Sequence, residues 1–93
     1  MKIGNCVVEI YIPNTSTLKE KRSVIKGLKD RIHNKFNVSI SEINKNDNHK
    51  HSTIAFVTVS NSSRYTDKIL AQVIKFMEKQ KQFEIISYNT EIF

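Results

Sequence analysis

Between Thr17 and Phe36 the chain reads TLKEKRSVIKGLKDRIHNKF, its longest segment with a clear helical period and its largest block of positive charge. At about 100° per residue, Leu18, Val24, Ile25, Leu28, Ile32 and Phe36 fall within about a third of the helical circumference. That spacing predicts a surface helix with one buried stripe. Thr17 is the expected N-cap, because Glu20 three residues later completes a capping box. Gly27 lies opposite the stripe, where it costs about 1 kcal/mol relative to Ala. Asn34 and Asn37 suit the helix end. Such a helix closes a core, and the flanking segments must supply the surface it covers.

They read as strands and one more helix. Lys2 to Ile12 alternates, with Cys6, Val8, Ile10 and Ile12 on one side and Val7, Glu9 and Tyr11 on the other, which predicts a half-buried strand. Pro13 and Asn14 stop it. Val38 to Ile43 predicts a short strand whose alternation slips by one, so a bulge is expected near Ser41-Glu42. Asn44 to Ser52 (NKNDNHKHS) has no apolar residue and predicts a hairpin loop. The run TIAFVTVS, Thr53 to Ser60, predicts a central strand. Asn61 or Ser62 caps a second helix to about Lys79, with the stripe Thr66, Ile69, Leu70, Val73, Phe76 and Met77. Phe83 to Phe93 predicts a final strand, in which Ile86, Tyr88, Thr90 and Ile92 alternate against Ile85, Ser87, Asn89 and Glu91.

The order β-α-β-β-α-β with two right-handed split crossovers defines an α+β, ferredoxin-like sandwich. It has one antiparallel four-stranded sheet of order 4-1-3-2, with both helices on one face. Residues 1–93 make a single domain.

This layout leaves one sheet face open. If Cys6, Val8, Ile10 and Ile12 face the helices, Tyr11 lies on the open face. On the third strand the smaller set, Ala55, Val57 and Val59, is placed under the helices, which puts Ile54 and Phe56 beside Tyr11. The opposite register buries Phe56. An apolar open face needs a cover, and Tyr11, Ile54 and Phe56 are the expected interface, for a homodimer, a protein, a small ligand or stacked bases. Ile10-Tyr11-Ile12-Pro13-Asn14 and Ala55-Phe56-Val57 are similar to parts of the two strand motifs of the RNA-recognition motif. The pattern departs at Ser52, Thr53, Ile54 and Val59, so the similarity is read as shared strand chemistry and dimer packing is preferred to base stacking.

Charge supplies the functional expectation. The chain has 15 Lys and Arg against 9 Asp and Glu, a formal net charge of +6. That balance suits an anionic partner, most often nucleic acid, and equally serves solubility. Lys19, Arg22, Lys26, Lys29 and His33 are spaced three or four apart and form one stripe beside the apolar face. Lys21, Arg31 and Lys35 add charge on the other flank, and Lys50 in the hairpin loop extends the basic surface. A rail of this kind suits phosphate contacts, although a solvated face with lysine stems covering the core edge gives the same pattern. Lys19, Lys21, Arg22, Lys26, Lys29 and Lys50 are the expected nucleic-acid-binding residues.

Other chemistries find little support. Cys6 is the single cysteine, expected in the core, so neither an internal disulfide nor a thiolate metal cluster is expected. Asp47, His49 and His51 resemble a partial zinc set, but no fourth ligand is evident and Lys50 sits between the histidines, so a solvated loop is preferred. Gly4 and Gly27 are isolated, which excludes a Gly-rich phosphate loop. Acylphosphatases share this element order, yet Pro13-Asn14-Thr15-Ser16-Thr17 lacks the Gly-rich loop and Arg that they need. The expectation is a protein without catalytic residues, metal or cofactor. The absence of an apolar leader or a membrane-length segment points to the cytoplasm and away from a membrane.

Over essentially its full length the chain resembles the YlxP-like family of small bacterial proteins of unknown function. The resemblance is carried by Gly4, Val8-Glu9-Ile10 with Ile12-Pro13, Leu18-Lys19-Glu20-Lys21-Arg22, Phe36-Asn37-Val38-Ser39, Glu42 with Asp47, Val59-Ser60 and Thr90-Glu91-Ile92. It implies a ferredoxin-like fold. Genes of the family often lie beside translation and ribosome-maturation factors, which implies RNA or a ribosomal subunit as partner. The family often has Trp two residues after the Asp; His49 stands there, so any partner contact made by that aromatic is altered. No catalytic residues follow from the resemblance.

Overall fold

In the computed structural model, which describes residues 1–44 and 48–93, β1 (Lys2–Tyr11) and β3 (His51–Ser60) form the antiparallel centre of a four-stranded sheet. β2 (Ser39–Asn44) flanks β3 and β4 (Glu84–Ile92) flanks β1, giving the order β2-β3-β1-β4, which is the expected 4-1-3-2 read from the other edge. The helices α1 (Leu18–Lys35) and α2 (Ser63–Glu78) pack on one face of this sheet. The fold is the ferredoxin-like α+β sandwich. Among the described residues no helix is long and apolar enough to cross a membrane.

Local chemistry starts and stops the helices. Thr17 has extended backbone and its Oγ1 accepts from the Glu20 N–H at 3.1 Å, while the Glu20 carboxylate accepts from the Thr17 hydroxyl and the Ser16 N–H. This is the expected capping box, with the returning carboxylate reaching one residue further back than the usual pattern. Ser62 caps α2 by accepting from the Tyr65 N–H at 3.2 Å. In α2, Ile74 is buried with Thr66, Leu70, Val73 and Met77, whereas Ile69 and Phe76 are half-buried and turn toward the helix flank.

The sheet face under the helices is set by strand register. Cys6 stands opposite Phe56, Val8 opposite Ile54 and Ile10 opposite Ser52, and directly opposed residues share a face. Ile54 and Phe56 are therefore core residues, 0% and 1% exposed, and the expectation that placed them on the open face is corrected. Val57 and Val59, expected under the helices, point the other way, and Val59 is 59% exposed. The physical reason is volume. Helices stand roughly 10 Å from a sheet, and a layer of that depth is filled by Phe and Ile rather than by Ala and Val. Tyr11 does lie on the open face, half-buried, with its ring 5.2 Å from that of His51.

Two irregularities keep the edge strands in phase. The pairing of β1 with β4 shifts between Glu9 and Ile10, leaving Ile86 as the extra residue, so that Ile85, Tyr88, Thr90 and Ile92 share the helix side. The pairing of β2 with β3 shifts between Glu42 and Asn44, leaving Ile43 extra, one residue beyond the expected slip.

Gly4 sets the closeness of β1 to α2. A Cβ built there would collide with Thr66 Cγ2 and come within 2.9 Å of Leu70 Cδ1. Thr66 has little freedom to yield, being fully buried with its hydroxyl 2.7 Å from Ser60 Oγ. Gly4→Ala is expected to destabilise the fold by about 1–3 kcal/mol through overpacking, read as a lower urea midpoint with unchanged m-value.

Candidate nucleic-acid interface

The two flanks of α1 have different fates. On one flank Arg31 donates to Gln82 Oε1 at 3.5 Å, and Lys35 holds its ammonium 5.0 Å from the ring centroid of Phe76 on α2. That flank faces the second helix. The opposite flank, which carries Lys19, Arg22, Lys26, Lys29 and His33, therefore overhangs the β2 edge, and His33 shares a surface depression with Val38 and Ser39. Lys19, Arg22, Lys26 and His33 are exposed and Lys29 is half-buried. From Lys19 to His33 the rail covers fifteen residues, roughly 21 Å along the axis at a rise of about 1.5 Å for each step between them. Lys26 pairs with Asp30 at 3.0 Å on the open surface, an exposed contact that competes weakly with other anions. Lys19, Arg22 and Lys29 have no carboxylate partner among the described residues.

Two of the expected contact residues are not on this rail. Lys21 is 3% exposed; its Nζ donates to the Asn48 carbonyl at 2.8 Å and lies 3.6 Å from Glu42 Oε2. Glu42 in turn accepts from the buried Ser52 hydroxyl at 2.6 Å. Four residues before Ile25 and seven before Leu28, Lys21 sits on the buried stripe, and Glu42 beneath it makes a charge tolerable there. Lys50 donates to the carbonyls of Pro13 and Thr15, both at 2.9 Å, and the Thr15 hydroxyl contacts the carbonyls of Ile12 and His49. Lys21 ties the β2–β3 hairpin to α1, and Lys50 ties it to the β1–α1 loop. Reading charge as exposure missed this, because the anchoring carbonyls belong to a turn-rich loop whose position is set by the whole fold.

The sheet's open face differs electrostatically. Its described positions hold Glu9, Glu84 and Glu91 and no Lys or Arg. Glu9 accepts from the Thr53 hydroxyl at 2.8 Å. Exposed Ile3, Val57, Val59 and Phe93 gather at the end where β1 begins and β4 ends.

Beyond the rail, two depressions open at the C-terminal end of α1. One, of about 330 Å³, is lined by His33, Asn37, Val57 and Val59. The other, of about 380 Å³, is lined by Lys35, Phe36, Asn37, Tyr65, Ile69 and Gln72. Sequence reasoning missed these residues because they come from separate elements and follow no single period. The one local signal was Phe36-Asn37 directly after a run of cations.

Nucleophile and metal chemistry gain nothing from the geometry. Burial pushes the Cys6 thiol up from its ordinary pKa, opposed by the Thr90 hydroxyl 3.7 Å from its sulfur, and a buried thiol of this kind is unreactive. Among the described residues no three His, Cys, Asp or Glu side chains are grouped to hold a metal ion, and Asp47 lies outside the described residues.

Residues 3–90 match the family model described as "Protein of unknown function (DUF503)". The chain belongs to the DUF503 family. It is 38% identical over 91 residues to "Uncharacterized protein YlxP" of Bacillus subtilis (strain 168), an alignment covering 98% of this chain and 99% of that protein. Several residues that carried the YlxP-like resemblance have structural roles in this DUF503 chain. Gly4 admits α2, Lys21 and Glu42 form the buried pair, and Glu9 binds Thr53 across the central strands.

Lys21→Ala is expected to cost about 3 kcal/mol in urea unfolding, since it strands Glu42 beneath the helix. Lys21→Met with Glu42→Gln, which keeps an acceptor for Ser52, is expected to recover most of that loss.

Proposed function

We propose that this chain is a non-enzymatic accessory protein that binds structured RNA, such as a ribosomal subunit, through the outward flank of α1. The observation that carries the reading is the sorting of cations on one helix. Lys21, Arg31 and Lys35 make internal contacts, while Lys19, Arg22, Lys26, Lys29 and His33 remain together on a flank that, among the described residues, no other element covers. Stacked like charges at this spacing repel one another, and Lys19 and Arg22 also oppose the positive end of the helix dipole. Solubility requires neither arrangement, whereas a phosphate backbone reverses the sign of both.

Base stacking on the sheet, in the manner of an RNA-recognition motif, is disfavoured. Phe56 lies in the core, and the open face carries Glu9, Glu84 and Glu91, which repel phosphate. The helix layer and the sheet face thus differ in the partners they suit. The neighbourhood of translation and ribosome-maturation genes implied by the YlxP-like resemblance agrees with an RNA partner.

A second reading rests on the apolar end of the open face. Ile3, Val57, Val59 and Phe93 are exposed together, Phe93 to 63%, and such a patch is a candidate contact between two copies of the chain.

For the first reading, affinity for a structured RNA hairpin is measured from 50 to 200 mM salt. Wild-type binding is expected to weaken steeply, and Arg22→Ala with Lys26→Ala to flatten the log–log slope by about 1–2, since each lost phosphate contact contributes roughly 0.7–0.9. A salt-insensitive wild type overturns it. For the second reading, sedimentation equilibrium is expected to give twice the chain mass of 10.8 kDa, falling to the monomer in Val59→Asp and Phe93→Asp; an unchanged mass in both variants removes the open face as the contact.

A further inference from the structure

We propose that the groove between Phe36 and Tyr65 binds one unpaired nucleobase of the RNA carried by the α1 rail. This rests on the RNA-binding reading and adds a site to it. The groove, about 380 Å³, is large enough for a base and is walled by Phe36, Tyr65 and Ile69. Phe36 is fixed by an edge contact with Phe76, ring centroids 5.7 Å apart at 76°, and Lys35 lies over both rings. Tyr65 stands on the first turn of α2 and is 55% exposed. An immobilised ring and a free one in the lining of one groove suit a flat aromatic ligand, and base–aromatic stacking works on any base.

Polar groups around the groove fit the same ligand. Asn37 and Gln72 line it, and neither side-chain amide has a hydrogen-bond partner among the described residues. Each presents a donor and an acceptor, the complement of a base edge. The Asn37 backbone is pinned by the Thr58 hydroxyl, which donates to its carbonyl at 3.1 Å, so that side chain is displayed from a fixed point. Lys35 supplies a cation at the rim, and neither depression has a carboxylate in its lining.

Continuity decides between a nucleotide and an unrelated flat ligand. His33, the last cation of the rail, lines the neighbouring depression, which shares Asn37, Thr58 and Val59 with the groove. A strand whose phosphates follow Lys19, Arg22, Lys26 and Lys29 reaches His33 and has its next base at Asn37 and Tyr65.

The test compares three forms of one RNA hairpin by fluorescence anisotropy: blunt-ended, with a short single-stranded overhang, and with an overhang of equal length made of abasic nucleotides. The two overhangs carry the same phosphates and differ only in bases. Wild-type protein is expected to bind the base-bearing overhang at least about fivefold more tightly than the abasic one. Tyr65→Ala is expected to abolish that ratio while leaving blunt-hairpin affinity unchanged, and Tyr65→Phe to retain it. Arg22→Ala with Lys26→Ala weakens all three RNAs and preserves the ratio. Equal binding of the two overhangs by wild type, or a ratio that survives Tyr65→Ala, overturns the base site and leaves the rail standing. Failure of wild type to bind any of the three overturns the RNA reading and the base site together.

Discussion

The register that sets Cys6 opposite Phe56 and Val8 opposite Ile54 governs the rest of the molecule. Side chains alternate along a strand, so a slip of one residue would send each of these groups to the other face. With this register, one side of the central strands carries Cys6, Val8, Ile10, Ile54 and Phe56, all buried, and both helices are committed to covering it. The bulge at Ile86 then lets β4 bring Ile85 to the same side, and the absence of a side chain at Gly4 lets α2 sit close to β1. Once α1 has turned Ile25, Leu28 and Ile32 inward, three-to-four spacing leaves its rail of cations no place but the outer flank.

Much of this was legible in the residues. Alternation in β1, the capping box at Thr17 and Glu20, and the punctuation at Pro13 and Ser62 were enough for the element order, and the order with its handedness rule was enough for the topology. The facing of β3 was not legible. TIAFVTVS is apolar at nearly every position, so periodicity cannot say which half is buried. The choice is made by the depth of the helix–sheet layer, a tertiary quantity. Small residues were expected where close packing was assumed, yet the close approach occurs at Gly4 rather than along β3.

The candidate interface was legible as a pattern of charge, but not residue by residue. Lys19, Arg22, Lys26 and Lys29 are where their spacing puts them. Lys21 and Lys50 are not, because each long ammonium side chain found a site that composition cannot reveal: a carboxylate and a carbonyl for Lys21, two carbonyls for Lys50. A buried ammonium is tolerated only when its protons are used, and those partners come from the hairpin and the β1–α1 loop, far away in sequence. The two lysines therefore hold together the end of the molecule at which the rail begins.

Both surface readings can hold in one protein, because charge is distributed so unevenly over it. The cations of the helix layer would attract phosphate and the carboxylates of the open face would repel it, so RNA bound as proposed would leave that face uncovered. Two copies joined through Ile3, Val57, Val59 and Phe93 would in turn leave the α1 rail of each copy exposed. Among the described residues the surfaces meet at Val57 and Val59, which belong to the apolar end of the sheet; both line the depression beside His33, and Val59 also lines the groove. Crowding at Val59 would reach the groove as well as the path to it, because Val59 and Tyr65 line the same groove. Competition between self-association and RNA would then fall on the end of the proposed track, at the His33 depression and the groove, and spare the proposed phosphate contacts along Lys19 to Lys29.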